Sequence, residues 1–140
     1  MNGYMPKSKS QVHLTPQRVY DIIRGKWGWT QEEMFDPCPV DPKFDGLQIS
    51  WRDKNYVNPP YAVKELEQFV EKAINELESH YRESIMLLPA NKTDQDWFHD
   101  LIIAEGFEIE WIRKRIHFTN NKWSSPAANF LVKISNDAWS

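Results

Sequence analysis

The sequence predicts an α/β sandwich with a mostly parallel sheet and an antiparallel C-terminal edge. Leu66, Phe69, Val70, Ala73, Ile74 and Leu77 repeat at helical spacing, and the apolar run Ser84 to Leu88 follows almost at once. That run is closed by Pro89 and has no polar alternation, the pattern of a strand covered on both faces. Strand and helix patterns alternate through the middle of the chain, whereas strand patterns cluster after Phe107. With 140 residues there is room for one core, so residues 14–140 are read as a single domain. Residues 1–13 are mainly polar and carry lysine, and are read as a flexible N-terminal arm.

Thr15-Pro16 opens the first helix, with Thr15 as N-cap and Pro16 at the first helical position, where its missing N–H costs nothing. Val19, Ile22 and Ile23 give that helix its apolar face, and Gly25 and Gly28 end it. Met34-Phe35 leads into a short strand stopped by prolines in Asp36-Pro37-Cys38-Pro39. Asp45-Gly46 marks a turn, and a second short strand from Asn55 to Asn58 ends at Pro59-Pro60. In the helix that follows, Glu65, Glu67, Glu71, Lys72, Glu76 and Glu78 occupy the surface left by the apolar stripe. Thr93 or Asp94 caps a further helix in which Trp97, Phe98, Leu101 and Ile102 face inward, and Gly106 stops it. Phe107 to Ile112, Arg115 to Phe118 and Asn129 to Ile134 are the remaining strand candidates.

Composition bounds the function. An apolar fraction of 41% with 26% charged residues is that of a globular chain rather than a disordered one. No apolar run reaches roughly 18 residues, so no membrane span is expected. Met1 to Ser10 lacks the apolar centre of a secretory signal. The single cysteine, Cys38, excludes an internal disulfide and a multi-cysteine zinc site, and suits a reducing, cytoplasmic setting. Net charge is -3, so any contact with nucleic acid must come from a local basic patch. Seven tryptophans within a 14% aromatic fraction exceed what so small a core needs, and leave two readings open, stacking surfaces or core packing alone.

In open α/β sheets, ligands bind beyond the carboxyl ends of the strands. Three predicted ends are marked by proline: Asp36-Pro37-Cys38-Pro39, Asn58-Pro59-Pro60-Tyr61 and Leu88-Pro89-Ala90-Asn91. In the second, Pro59 keeps Asn58 out of the helical region and the two rings fix the next carbonyl in space. The loop then displays an amide oxygen, a backbone carbonyl and an aromatic ring. The exocyclic amine of a nucleobase is planar and poorly nucleophilic, because its lone pair is delocalised into the ring. Two fixed acceptors, the Asn58 amide and the Pro59 carbonyl, would draw that nitrogen towards a tetrahedral shape and stabilise the positive charge that develops on it. Tyr61 would stack on the base. The plainer alternative is a Pro-Pro turn in which Asn58 merely caps the following helix.

Asn-Pro-Pro-Tyr at 58–61 is the motif of the amino-methyltransferases. The ordered series Thr15-Pro16, Asp36-Pro37-Cys38, Asp45-Gly46-Leu47, Trp51, Asn58-Pro59-Pro60-Tyr61 and Leu87-Leu88-Pro89-Ala90 resembles the small phage-type DNA N-6-adenine methyltransferases. Thr93, Asp94, Trp97-Phe98-His99, Arg115-Ile116 with Phe118, and Ser125-Pro126 continue the likeness over roughly residues 14 to 134. The resemblance implies a reduced Rossmann-like methyltransferase sandwich and S-adenosylmethionine as cofactor. It implies methyl transfer to the N6 of adenine in DNA, after the base has left the duplex for the Asn-Pro-Pro-Tyr pocket. It places Thr15, Pro16, Asp36, Pro37, Cys38 and Asn58 beside the cofactor, with Asp45 as the nearest acidic substitute for gripping the ribose hydroxyls. Asn58, Pro59, Pro60 and Tyr61 match the catalytic loop, and Pro89, Ala90 and Asn91 would flank the target. The chain departs from the larger methyltransferases in lacking a glycine-rich cofactor loop, and Lys114 stands where the family usually has glycine. Those departures leave open a cofactor site completed by a second copy or a partner subunit. A phage or prophage gene product would work in the host cytoplasm.

Lys92, Arg113, Lys114, Arg115, His117 and Lys122, with Trp123, form the best basic and aromatic cluster for contacting DNA phosphate. Asp94, Asp96, His99 and Asp100 superficially suggest a metal site, but an acidic first helical turn accounts for them and no metal is expected. Cys38 has no local histidine partner and is read as a small strand-end residue. Two other function classes stay open. The same loop acts on cytosine N4, RNA or a protein glutamine in one; in the other, an inactive relative binds nucleic acid or a partner.

Overall fold

The computed structural model describes residues 15–40, 42–116 and 128–136. The predicted arm, residues 1–13, lies outside them. Helix α1 spans Gln17–Trp27 and helix α2 spans Val63–His80. Strands β1, Lys54–Val57, β2, Glu83–Pro89, β3, Glu108–Trp111, and β4, Asn129–Ile134, form one sheet in the order β1-β2-β4-β3. Three layers result. On one face, α1 contributes Val19 and Ile23 to a core with Tyr56, Ile85, Leu87 and Leu131. On the other, α2 contributes Leu66, Phe69, Val70, Ala73 and Leu77 to a core with Val57, Met86, Leu88, Phe130 and Val132. The period of 2 along each strand sends alternate residues to the two cores.

The expectation of a mostly parallel sheet is corrected. Among the described residues only β1 and β2 pair parallel as strands, across the α2 crossover, while β2–β4 and β3–β4 are antiparallel. Phe35 adds a single parallel bridge to Asn55, so the strand predicted before Asp36 shrinks to one residue. The cause lies in the side chains of the last two strands. Phe130, Leu131, Val132 and Ile134 are apolar towards both faces and β4 is buried throughout, as an interior strand requires. In β3, Glu108 and Glu110 alternate with Ile109 and Trp111, a pattern suited only to an edge. Lys26 of α1 reaches both glutamates, at 3.2 and 3.1 Å, and the Trp27 indole donates to Glu108 at 2.9 Å. The order in space therefore departs from the order in sequence.

Three smaller expectations also shift. Thr15 does not cap α1; Pro16 occupies the cap position with extended backbone, and the helix runs through Gly25 to end at Gly28, whose φ is 75°. The segment after Pro89 is a short 3₁₀ turn, Ala90–Lys92, followed by a π-helical turn, Phe98–Ile103, in place of the predicted regular helix. The Ala104 N–H donates to the His99 carbonyl five residues back, and the Thr93 hydroxyl turns back to the Ala90 carbonyl. Arg115 and Ile116 are not in a strand, and the rest of the predicted strand 115–118 lies outside the described residues.

At the amino ends of β1 and β2 a buried carboxylate organises the chain. Glu76 accepts from the Trp51 N–H at 2.8 Å and from Arg82 at 3.0 Å, with Lys72 at 3.4 Å. Burial opposes its charge, yet those donors together hold the carboxyl below its ordinary range. The Trp51 indole donates to the Gly46 carbonyl at 2.8 Å. A Cβ at Gly46 would lie 2.0 Å from the Pro37 carbonyl oxygen, so the 45–48 turn can sit against the Pro37 backbone only with glycine there.

Candidate active site

The parallel bridge of Phe35 to Asn55 and the parallel β1–β2 register bring the three proline-marked segments to one edge of the sheet. Antiparallel β4 adds its amino end to that edge, since Asn129 pairs with Pro89. Pro37, Asn58, Pro59, Pro60 and Pro89 are buried, while Tyr61, Asp36, Cys38 and Ala90 are half-buried. Four of these nine rim residues are prolines, with no backbone N–H and a covalently restricted φ.

Around Asn58 the side chains form a short polar chain. Its Nδ2 donates to the Thr15 hydroxyl at 3.4 Å, and Thr15 is 2.8 Å from the Tyr56 hydroxyl. The Tyr20 ring packs on Tyr56 with centroids 5.2 Å apart. Thr15, expected as a helix cap, spends its hydroxyl here instead. On the other side of the loop, the Tyr61 hydroxyl accepts from Asn129 Nδ2 at 2.8 Å. Burial pushes the Tyr61 phenol up to about 12, against the Asn129 hydrogen bond that lowers it, so the group is a neutral hydroxyl.

Asp36 is the electrostatic centre of this edge. Its carboxylate accepts from the Cys38 N–H at 2.8 Å, closing a tight turn over Pro37. Burial raises its pKa from 3.8 to about 6, with the Cys38 hydrogen bond working the other way. Burial also lifts the Cys38 thiol to about 12, helped by the charges of Asp36, Glu65 and Asp45, so Cys38 remains a thiol and not a nucleophile. Asp45 lies close enough to add to that field, and its Oδ1 accepts from the Leu47 N–H at 3.0 Å. One of its two oxygens is therefore committed to the turn.

The basic cluster starts at the same edge. The Ile112 N–H donates to the Asn129 carbonyl at 3.0 Å, and exposed Arg113, Lys114 and Arg115 follow. Arg18 of α1 donates to the Arg113 carbonyl. Lys114 has φ 61°, a left-handed conformation that favours glycine, which accounts physically for the glycine expected there. Asn91 is exposed and Lys92 half-buried on the 3₁₀ turn after β2, and the Ala90 N–H reaches the Ala128 carbonyl at 2.7 Å. His117, Lys122 and Trp123 lie outside the described residues. Among the described residues, no group of three or more His, Cys, Asp and Glu side chains converges to hold a metal. No described helix is long and apolar enough to cross a membrane.

Tyr20, Tyr56 and Asn129 join the site without having been singled out from sequence. Their links to Thr15 and Tyr61 span 41 and 68 residues, and only the aromatic richness of the chain hinted at them. A separate cleft of about 520 Å³ is lined by Glu33, Trp51, Arg52, Asp53, Lys54 and Arg82 at the opposite edge. Its cations are already engaged, Lys54 with Glu33 at 2.9 Å, Arg82 with Glu76, and Arg52 over the Phe35 ring.

No curated protein and no solved structure matches the chain. The family model described as DNA N-6-adenine-methyltransferase (Dam) matches residues 3–134, nearly the whole length and every described element of the site. The chain belongs to the DNA N-6-adenine-methyltransferase family.

Proposed function

We propose that this chain transfers the methyl group of S-adenosylmethionine to the N6 of adenine in DNA, with the target base held at Asn58-Pro59-Pro60-Tyr61. Membership of the family carries DNA adenine methylation as the general activity. One observation supports assigning it to this loop: Asn58 and Tyr61 are each tied to a distant part of the chain, Thr15 before α1 and Asn129 of β4, at the carboxyl edge of the parallel pair.

The donor set fits the cofactor. Asp36 is largely enclosed, receives one backbone N–H, and has no salt bridge to a cation among the described residues. An enclosed carboxylate in that condition suits a ligand bearing positive charge, and Thr15 adds a hydroxyl beside it. Bound there, S-adenosylmethionine supplies an electrophilic methyl group on a sulfonium. The remaining work falls to the protein. With Asn58 Nδ2 turned to Thr15, Oδ1 is the end of the amide that meets the base, and the Pro59 carbonyl is the second acceptor. Together they hold the two N–H groups of adenine N6 and stabilise the positive charge that grows on it. The nitrogen's proton leaves after the new bond has formed, so no general base is needed beforehand. Tyr61 stacks on the base, contributing about 1–3 kcal/mol towards the few kcal/mol that unpairing costs. Arg113, Lys114, Arg115 and Lys92 meet the phosphates.

The test is incubation of purified protein with unmethylated DNA and labelled S-adenosylmethionine, followed by nucleoside mass spectrometry. The expected product is N6-methyladenine, and Asn58→Ala should lose on the order of a hundredfold in rate with cofactor affinity nearly intact, the scale of one preorganised polar contact. Label on cytosine N4, RNA or protein, or no transfer at all, would overturn the reading.

A further inference from the structure

We propose that Asn129 is a positioning residue for Tyr61, fixing the ring at the angle from which it stacks on the target base; this rests on the function proposed above. Asn129 is the first residue of β4 and is fully buried. Pairing with Pro89 sets it at the rim, and the alternation along β4 turns its side chain to the same face as Leu131, where Tyr61 also packs. Its amide nitrogen has two hydrogens and both are committed, one to the Tyr61 hydroxyl at 2.8 Å and one to the Leu88 carbonyl at 3.2 Å. The Leu88 carbonyl fixes which way the amide points. Turning it over would set Oδ1 against the Leu88 carbonyl oxygen, two acceptors with no hydrogen between them.

The third polar atom makes the case. Asn129 Oδ1 is enclosed and has no hydrogen-bond partner among the described residues. An enclosed acceptor left unpaired works against folding, so packing alone does not account for an asparagine here. Its two donors do account for it, because they join the tip of the Tyr61 ring to the end of β2. Pro60 restrains the other end of the same residue through the backbone. A ring held at both ends meets the base without first giving up rotational freedom, and that economy appears in the rate of transfer rather than in ground-state binding.

Three variants test this: Asn129→Ala, Tyr61→Phe and the two combined. Each is measured for kcat and KM with unmethylated plasmid DNA, and for S-adenosylmethionine affinity by calorimetry. Each single change should lower kcat about tenfold while leaving the KM for DNA and the cofactor Kd within about twofold. The double variant should be no slower than the slower single, since both changes break the same Asn129–Tyr61 hydrogen bond. Tyr61→Phe leaves β4 untouched and keeps the ring, so it decides the matter if Asn129→Ala fails to fold. Wild-type kcat in either single, or losses that multiply towards a hundredfold in the double, would overturn the positioning role while an active wild type left the proposed function standing. A wild type that does not methylate adenine would overturn both.

Discussion

Replacing Asp36 by asparagine should make the protein more stable and a poorer binder of cofactor, with both effects governed by pH. The carboxyl is pushed by burial from 3.8 to about 6. At 1.36 kcal/mol per pKa step, ionised Asp36 costs the folded state up to about 3 kcal/mol above that pKa. Below pH 3.8 the group is protonated in both folded and unfolded chains, and the cost vanishes. Stability is therefore lost as the pH rises through about 6, the sign opposite to that of a salt-bridged carboxylate. Asparagine keeps the acceptor for the Cys38 N–H, so the turn over Pro37 survives while the charge does not. Urea denaturation from pH 4 to 8 should show Asp36→Asn gaining on wild type as pH rises, by about 3 kcal/mol at most, or on the order of 10 °C in Tm. Calorimetry should show the reverse for S-adenosylmethionine: tighter binding to wild type as pH rises from 5 to 7, with release of a proton, and weaker, pH-independent binding to the variant. A stability difference that does not change with pH would refute the reasoning, and so would a variant less stable at pH 8.

Two backbone predictions accompany it. Gly46→Ala places a Cβ 2.0 Å from the Pro37 carbonyl oxygen, a backbone atom that cannot swing aside; a loss of about 1–3 kcal/mol in urea denaturation is expected, typical of overpacking. Lys114→Gly removes a left-handed strain at φ 61° and should add about 1 kcal/mol in the same assay, while weakening DNA binding at low salt through the lost charge.

Elements whose signal is local were legible. The apolar stripe of α2 and the unbroken run of β2 depend on neighbours within a few positions, and both elements form where expected. The proline-marked ends were legible too, because proline dictates its own φ and that of its neighbour's region. Sheet order was not, because it is decided by competition between segments: β4 takes the slot beside β2 since Phe130 to Ile134 can be buried on both faces, and Glu108 and Glu110 exclude β3 from it. Thr15 illustrates the same limit within the site. Local rules make it a cap, but the Tyr56 hydroxyl, 41 residues away, claims its oxygen. The π-helical turn at Phe98–Ile103 departs in backbone while keeping Trp97, Phe98 and Ile102 inside, so the hydrophobic pattern read the burial without reading the hydrogen bonds.

The two ends of the sheet are stiffened by different physics. At the far end Glu76 gathers Trp51, Arg82 and Lys72 by charge and hydrogen bonding, an arrangement that acid dissolves as the pH falls through the carboxyl's lowered pKa and that salt weakens. At the site, Pro37, Pro39, Pro59, Pro60 and Pro89 confer rigidity through their ring-locked φ, which neither protons nor ions alter. Ionic strength should then weaken DNA binding without reshaping the rim proposed to receive the base, so a salt titration of binding should read the phosphate contacts. Acid, by the same division, should fray the molecule from the Glu76 end, away from the proposed site.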